Sequence, residues 1–211
     1  MKRPSTFQGT PLEKIGIYET LLTFIDDVLF QYKILIHETG EDKITQDLVM
    51  SLNDEAHRND AFFAFMNQYE EGKYTTDIGV YLTNNRYYFS WIEAKRLPIE
   101  KKKDRDEREY VFVDKKYFSG GGGIQRFKES KHAPKLNFSI MFGYIQDENT
   151  VDYWYTKINS WIKELADSDN GFWNSEDCLE KYASNKCDRF ISLHKRKNKE
   201  PIKLHHYWIK Q

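Results

Sequence analysis

The chain has 211 residues, of which 39% are hydrophobic and 16% aromatic, so it is apolar enough to bury a core and is not typical of a disordered protein. The formal net charge of −1 excludes binding to nucleic acid through bulk positive charge, and any such contact must come from local basic patches. No apolar run approaches the ~20 residues of a membrane span, and Cys178 and Cys187 lack metal-ligand spacing, which predicts a reduced, cytoplasmic protein without membrane contact.

Two amphipathic helices are predicted first. Residues 11–33 and 41–56 each carry apolar side chains at steps of three and four, the pattern of a helix with one buried face. The second helix begins with Glu41, which shares that face and is therefore a candidate site residue, although the helix dipole alone favours an acid there. Asp42 and Asp47 are alternative acids that point elsewhere around the helix.

Three strands are predicted next, at residues 61–66, 76–82 and 87–92. The last two are joined by a turn, so they are expected to pair as a hairpin. Asp77 then lies at the open end of the hairpin, close to Glu93 and Lys95. Because side chains alternate along a strand, Glu93 and Lys95 project from the same face and Ala94 from the other.

Two carboxylates and an ammonium on one patch suit the hydrolysis of a phosphodiester with a divalent metal. Mg²⁺ takes oxygen ligands, usually one or two carboxylates with water and a substrate phosphate. The metal acidifies a bound water, and a lysine beside it can orient that water or offset negative charge. A solvent-facing Glu-x-Lys on a strand is also common without any function, and the alignment with Asp77 is what favours the catalytic interpretation.

A charge run and a glycine run follow. Residues 99–109 are typical of a solvated loop, or of a segment that flanks a phosphate backbone, and residues 110–113 are a possible short strand. The run from Ser119 to Gly123 opens a helix, where it is either a flexible hinge or a close backbone contact for an anion. It lacks the Gly-Lys-Ser/Thr of a P-loop.

The helix after the glycines is predicted to contact a nucleic-acid backbone. At helical spacing Gln125, Lys128 and His132 approach one face, which places basic groups beside the candidate metal site. His132 alone is a weak signal. The predicted nucleic-acid-binding residues are Gln125, Arg126, Lys128 and Lys131.

The rest of the chain is predicted as a strand at residues 137–145, a helix at 150–166 and a closing hairpin of strands 189–196 and 201–209. Aromatic residues at helical spacing in the helix indicate core packing rather than base stacking. His205 and His206 are adjacent on one strand and therefore face opposite sides of the sheet, which argues against a shared metal site.

The order of these elements, with Glu41, Asp77 and Glu93-Ala94-Lys95 in their places, resembles the PD-(D/E)XK nuclease superfamily. The resemblance spans about residues 38–146 and rests on a short motif. The family has a proline before the first Asp, where this chain has Thr76. The implied fold is α/β, a restriction-endonuclease-like core with a mixed central sheet flanked by helices. It forms a single domain, to which residues 1–37 add an N-terminal helix and residues 147–211 a C-terminal helix and hairpin.

The resemblance also implies roles for individual residues. Asp77 and Glu93, with the Ala94 carbonyl, would bind Mg²⁺ or Mn²⁺, and Lys95 would act on the attacking water. Glu41 looks like the superfamily's helical acid. The expected protein is a DNA nuclease, endo- or exonucleolytic, of the kind found in restriction, phage defence or mobile elements.

Other functions stay open. One is a catalytically silent module of the same fold that binds nucleic acid or a protein. Another is a nuclease acting on RNA or structured DNA. Because the chain is nearly neutral, a homodimer or a partner subunit is a plausible source of substrate affinity.

Overall fold

The computed structural model describes residues 11–31, 40–71, 74–98, 106–114, 121–168, 171–184 and 186–210. Its elements are α1 (Pro11–Gln31), α2 (Glu41–Arg58), β1 (Phe63–Glu71), β2 (Tyr74–Leu82), β3 (Tyr88–Leu97), α3 (Gly123–Lys128), β4 (Phe138–Ile145), α4 (Val151–Ser168), a short 3₁₀ turn (Ser175–Asp177), β5 (Glu180–Tyr182), β6 (Asp188–Arg196) and β7 (Lys199–Lys210). Within these ranges no helix has the length and apolarity needed to cross a membrane.

The seven strands form one sheet in the order β1-β2-β3-β4-β7-β6-β5. The three central strands β3, β4 and β7 run parallel, and every other neighbouring pair is antiparallel. Parallel neighbours need long crossovers, and here these contain α3 in one case and α4, β5 and β6 in the other. The prediction of an α/β fold with a mixed central sheet is confirmed.

Helices cover both faces of the sheet, and the alternation of β3 assigns its side chains to one layer or the other. Ile92 and Ala94 pack with α1 and α2 in one hydrophobic cluster. Trp91 and Leu97 pack with α3 and α4 in a second cluster on the opposite face. Glu93 lies between Ile92 and Ala94 in sequence and therefore projects toward the α3 layer.

The loop before α3 is a turn, so the predicted strand at residues 110–113 is wrong. The backbone carbonyls of residues 109–111 accept hydrogen bonds of 2.9–3.1 Å from the amides of residues 123–125 at the start of α3. A Cβ on Gly122 would lie 2.4 Å from the backbone nitrogen of Phe112, so a glycine is required for this approach. These helix-opening amides are engaged within the chain and do not face an anion. The rest of the glycine run, residues 119–120, lies outside the described residues, as does the 99–105 part of the charge run.

The C-terminal hairpin is part of the central sheet. β7 pairs in parallel with β4 over eight residue pairs and in antiparallel with β6. Its turn is tighter than predicted, because Arg196 pairs directly with Lys199 and only Lys197 and Asn198 lie between them. The hairpin predicted as an addition to a core of residues 38–146 therefore completes the middle of the sheet.

Candidate active site

The strands β2 and β3 separate where the candidate site begins. Their regular pairing reaches Ile78 and Ile92, and beyond that point side chains replace the ladder. The Thr76 hydroxyl donates a 2.8 Å hydrogen bond to the carbonyl of Ile92, and the amide of Ala94 donates a 2.7 Å bond to Asp77 Oδ2. The separated strands leave an opening at the sheet that the Asp77 carboxylate borders, and its side chain is 29% exposed. Thr76 supports this opening through its side-chain hydroxyl.

Glu93 and Lys95 project from the same face of β3 and are ion-paired. Lys95 Nζ lies 2.8 Å from Glu93 Oε1 and donates a 2.7 Å hydrogen bond to the carbonyl of Ala94. Asp77 Oδ2 is 4.0 Å from the same nitrogen. The structure thus brings together Asp77, Glu93, Ala94 and Lys95, as the sequence predicts.

Glu41 joins this group from the first turn of α2. Its Oε1 is 3.4 Å from Lys95 Nζ, and its Oε2 accepts a 3.1 Å hydrogen bond from the amide of Arg96. Asp42 and Asp47, the other two candidate acids of the helix, are exposed. Of the three candidates, Glu41 is therefore the one that contacts Lys95.

Arg126 and His132 complete the surroundings of Glu93. Arg126 Nη1 donates a 2.8 Å hydrogen bond to Glu93 Oε1. The other oxygen, Oε2, is buried and has no hydrogen-bond partner among the described residues, and His132 Nε2 approaches it to 3.5 Å. The sequence predicts Arg126 as a nucleic-acid contact and gives only a weak signal for His132. No local pattern in the sequence indicates that both side chains lie beside Glu93.

Burial and charge set the protonation of the site. Burial, reinforced by the charge of Glu93, raises the pKa of Asp77 to about 7. Burial also acts to raise the pKa of Glu93, but the charge of Lys95, with His132 and Arg126, lowers it to about 2. Burial lowers the pKa of His132 to about 4, so its ring is neutral near pH 7. The pKa of Lys95 is raised, because the carboxylates around it outweigh its burial.

Two of the predicted nucleic-acid contacts are wrong, because their side chains are buried. Gln125 Oε1 accepts hydrogen bonds from the amides of Gly122 and Val113, which closes the start of α3. Lys128 is fully buried and ion-paired at 2.7 Å with Asp177. Neither side chain faces solvent.

Lys131 and Arg126 keep partial exposure. Lys131 is 28% exposed and is ion-paired with Glu129, so a contact with a phosphate remains a prediction for it. Arg126 is 18% exposed beside Glu93. Of the predicted contacts, these two side chains are the ones with a surface on which a phosphate can lie.

A buried chain of hydrogen bonds fixes the loop before α3 to β6 and β7. The indole N–H of Trp208 can only donate, so it donates to the hydroxyl of Tyr110 at 3.0 Å. The Tyr110 hydroxyl then donates to His206 Nδ1 at 2.8 Å, which leaves the proton of this neutral ring on Nε2. His206 Nε2–H donates in turn to Ser192 Oγ at 2.7 Å.

The same chain continues to α3. Ser192 donates to His194 Nε2 at 2.7 Å, and His194 Nδ1–H donates to Asp177 Oδ1 at 2.8 Å. Asp177 also accepts from Lys128 of α3. Every donor points toward Asp177, so a single arrangement of protons satisfies the chain. Lys128 thereby anchors the helix that carries Arg126 to Glu93.

Within this hydrogen-bond chain, the contacts of Ser192, His194 and Asp177 resemble a catalytic serine–histidine–aspartate triad, but the three residues are buried. Ser192 is 4% exposed and His194 fully enclosed. A nucleophile needs access to its substrate, so this group is a structural network.

The donor atoms around Lys95 fit a hard divalent cation. Two carboxylates, from Asp77 and Glu93, and the Ala94 carbonyl are oxygen donors of the kind that Mg²⁺ accepts with water. The unpartnered Glu93 Oε2 is a buried negative oxygen that a cation would satisfy. Among the described residues, no three acidic, histidine or cysteine side chains are already spaced to hold a metal.

Comparisons with known proteins identify no relative. No protein-family model matches the chain, no curated protein matches it, and no solved structure matches it. The function is therefore inferred from the residues of this chain themselves.

Proposed function

We propose that this protein is a metal-dependent nuclease with a restriction-endonuclease-like core of the PD-(D/E)XK type, hydrolysing phosphodiester bonds in DNA. The observation that carries the proposal is the meeting of Asp77, Glu93, Ala94 and Lys95 at the opening between β2 and β3. Glu93, Ala94 and Lys95 follow Asp77 by 16 to 18 positions in the sequence. They meet Asp77 at the end of the hairpin, where β2 and β3 separate. Such a cluster of unlike charges, next to an unpartnered carboxylate oxygen, is typical of a functional site.

Each residue has a role in this proposal. Asp77, Glu93 and the Ala94 carbonyl would hold Mg²⁺ or Mn²⁺, which when bound acidifies water and offsets charge on the phosphate. Lys95 donates hydrogen bonds and positive charge to the attacking oxygen or the phosphate. Glu41 holds Lys95 in orientation from the opposite side. Arg126, held beside Glu93, adds positive charge where a phosphate would approach.

Cleavage assays test the proposal directly. Purified protein is incubated with supercoiled, linear and single-stranded DNA and with RNA, with and without Mg²⁺ or Mn²⁺. We expect metal-dependent cleavage of DNA that falls by about 100-fold or more in Asp77→Asn and Lys95→Ala, because the first would lose a metal ligand and the second a group that acts on the reacting phosphate.

The helical acids provide a matched pair for the same assay. Glu41→Gln should lower the rate, whereas Asp47→Asn, on the exposed side of the same helix, should cleave like wild type. Full activity in Asp77→Asn would end the proposal. Preference for RNA would keep the site and change the substrate.

The second candidate is a silent module that binds DNA or a protein without cleaving it. It is favoured if the protein binds DNA yet cleaves nothing with either metal. Calorimetry separates the two, because a silent module binds Mn²⁺ no better than an Asp77→Asn/Glu93→Gln double variant.

A further inference from the structure

The ammonium group of Lys95 lies at the point where the oxygen donors of the site converge. Its nitrogen is 2.7 Å from the Ala94 carbonyl and 2.8 Å from Glu93 Oε1. Glu41 Oε1 is 3.4 Å away and Asp77 Oδ2 4.0 Å away. The side chain is 5% exposed, so this positive charge is held inside the site and not at its rim.

These are the same oxygens that a divalent cation would use. Mg²⁺ binds oxygen at about 2.0–2.1 Å, so an ion sharing Glu93 Oε1 and the Ala94 carbonyl with the ammonium would lie within a few ångströms of it. Two positive charges so close in a partly buried site repel strongly. The ammonium and the metal therefore exclude each other from these donors.

The charges of the site lead to the same conclusion. Three carboxylates, Asp77, Glu93 and Glu41, face two cations, Lys95 and Arg126, which leaves one negative charge when Asp77 is ionised. Removal of Lys95 would leave two negative charges, which match one divalent cation.

We propose that Lys95 is an internal competitor for the metal, an inference that rests on the proposed nuclease function for the identity of the ligand. In the metal-free protein its ammonium neutralises the acidic cluster. A divalent cation binds only when the ammonium leaves the Ala94 carbonyl. Glu41, already 3.4 Å away, is the carboxylate that receives it.

Calorimetry of Mn²⁺ binding to metal-free protein tests this competition. Lys95→Met removes the charge and keeps an unbranched side chain, and we expect the Kd for Mn²⁺ to fall at least about tenfold. Lys181→Met is the control, because it removes the charge of a lysine that pairs with Asp152 on the surface, outside the site and outside the hydrogen-bond chain. Its Kd should stay within about twofold of wild type. An unchanged or higher Kd in a folded Lys95→Met protein overturns the proposal.

A crystal structure of the wild-type protein with Mn²⁺ gives a second test that does not depend on any variant folding. We expect the ion on Asp77 and Glu93, and Lys95 Nζ beyond hydrogen-bonding distance of the Ala94 carbonyl. An ion bound there while that 2.7 Å bond persists overturns the proposal.

The outcome is separable from that of the nuclease assay. Tighter Mn²⁺ binding by Lys95→Met, without any cleavage by wild type, supports the competition and removes the nuclease function. Cleavage by wild type, with equal Mn²⁺ affinity in wild type and Lys95→Met, supports the nuclease function and overturns the competition. Absence of Mn²⁺ binding in both proteins overturns the competition.

Discussion

The carboxyl group of Asp77 lies in a site where negative charge exceeds positive charge. Burial, the neighbouring Glu93 and the more distant Glu41 all favour its protonated form, and they outweigh Lys95 and the hydrogen bond from the Ala94 amide. Its pKa in the folded protein is about 7, against 3.8 for an unperturbed group. In the metal-free protein, the negative charge that Asp77 carries above neutral pH is therefore destabilising.

This charge predicts a pH dependence of stability in the presence of a chelator. Because the folded-state pKa is raised, the stabilising contribution of Asp77 is complete below about pH 4 and is lost as the pH rises through about 7. Asp77→Asn, which stays neutral, should match wild type near pH 4 and exceed its free energy of unfolding by about 1–2 kcal/mol at pH 8, a discounted value for a partly exposed group.

Urea unfolding of both proteins from pH 4 to 8 measures the difference. Asp152→Asn is the control, because Asp152 pairs with Lys181 on the surface with 75% of its side chain exposed. Its effect should stay within about 0.5 kcal/mol at every pH. A difference between Asp77→Asn and wild type that does not change with pH would contradict the charge assignment.

The sequence predicted the proximity of those site residues that a short local pattern brings together. Asp77, Glu93 and Lys95 are placed by strand alternation and a hairpin, both of which follow from local periodicity. Arg126 and His132 reach Glu93 through the packing of α3 against the sheet, which depends on contacts distant in sequence. The same packing buries Lys128, which composition alone assigns to the surface.

The short helix α3 owes its position to two anchors rather than to its own length. One anchor is the loop of residues 109–111, whose carbonyls accept from its first amides. The other is the hydrogen-bond chain that ends at Asp177 and Lys128. A helix of six residues is not stable alone, so these contacts determine where Arg126 lies.

Ser192 is the central member of that chain, and its removal should weaken the anchor. Ser192→Ala leaves the Nε2–H of His206 without its acceptor and the Nε2 of His194 without its donor, and both rings are buried. We expect the free energy of unfolding to fall by about 1–3 kcal/mol. Urea denaturation measures it.

Ser139 provides a matched comparison on β4. It is fully buried, and its hydroxyl has no hydrogen-bond partner, so Ser139→Ala removes a polar group that gains nothing from folding. This variant should be neutral or slightly stabilised. Equal destabilisation by Ser192→Ala and Ser139→Ala would show that the hydrogen bonds of Ser192 do not contribute to stability.

Most elements were predictable from periodicity. The six long strands and the three long helices of the described residues follow from apolar repeats of two or of three and four residues. Residues 110–113 share the apolar character of a strand but are used as a buried turn, since their carbonyls are needed by α3. A local apolar pattern does not distinguish a strand from a buried turn whose backbone carbonyls accept hydrogen bonds from a helix.

On the scale of the whole molecule, the strand order assigns the last strand of the chain to the centre. β7 supplies the second neighbour of β4 and carries Tyr207 and Trp208 into the two hydrophobic clusters. No sequence pattern indicates this position, because two parallel neighbours far apart in the chain leave no local signal. The resemblance to a minimal nuclease core also excluded the hairpin.

Truncation after residue 146 should therefore abolish cooperative folding. The cut removes β7, exposes one edge of β4 and uncovers both clusters, so we expect no cooperative thermal transition and binding of a hydrophobic dye. Two glycines inserted between Lys197 and Asn198, in the exposed turn of the hairpin, should be tolerated. A truncated protein that unfolds cooperatively would restore residues 38–146 as an independent core.

The central place of β7 has a consequence for how the protein matures on the ribosome. Asp77, Glu93 and Lys95 leave the exit tunnel while the strand that must flank β4 is still untranslated. A nascent chain at that stage holds these three residues but an incomplete sheet, in which β4 lacks one of its two neighbours. The framework around them is therefore completed only when residues 199–210 have been translated.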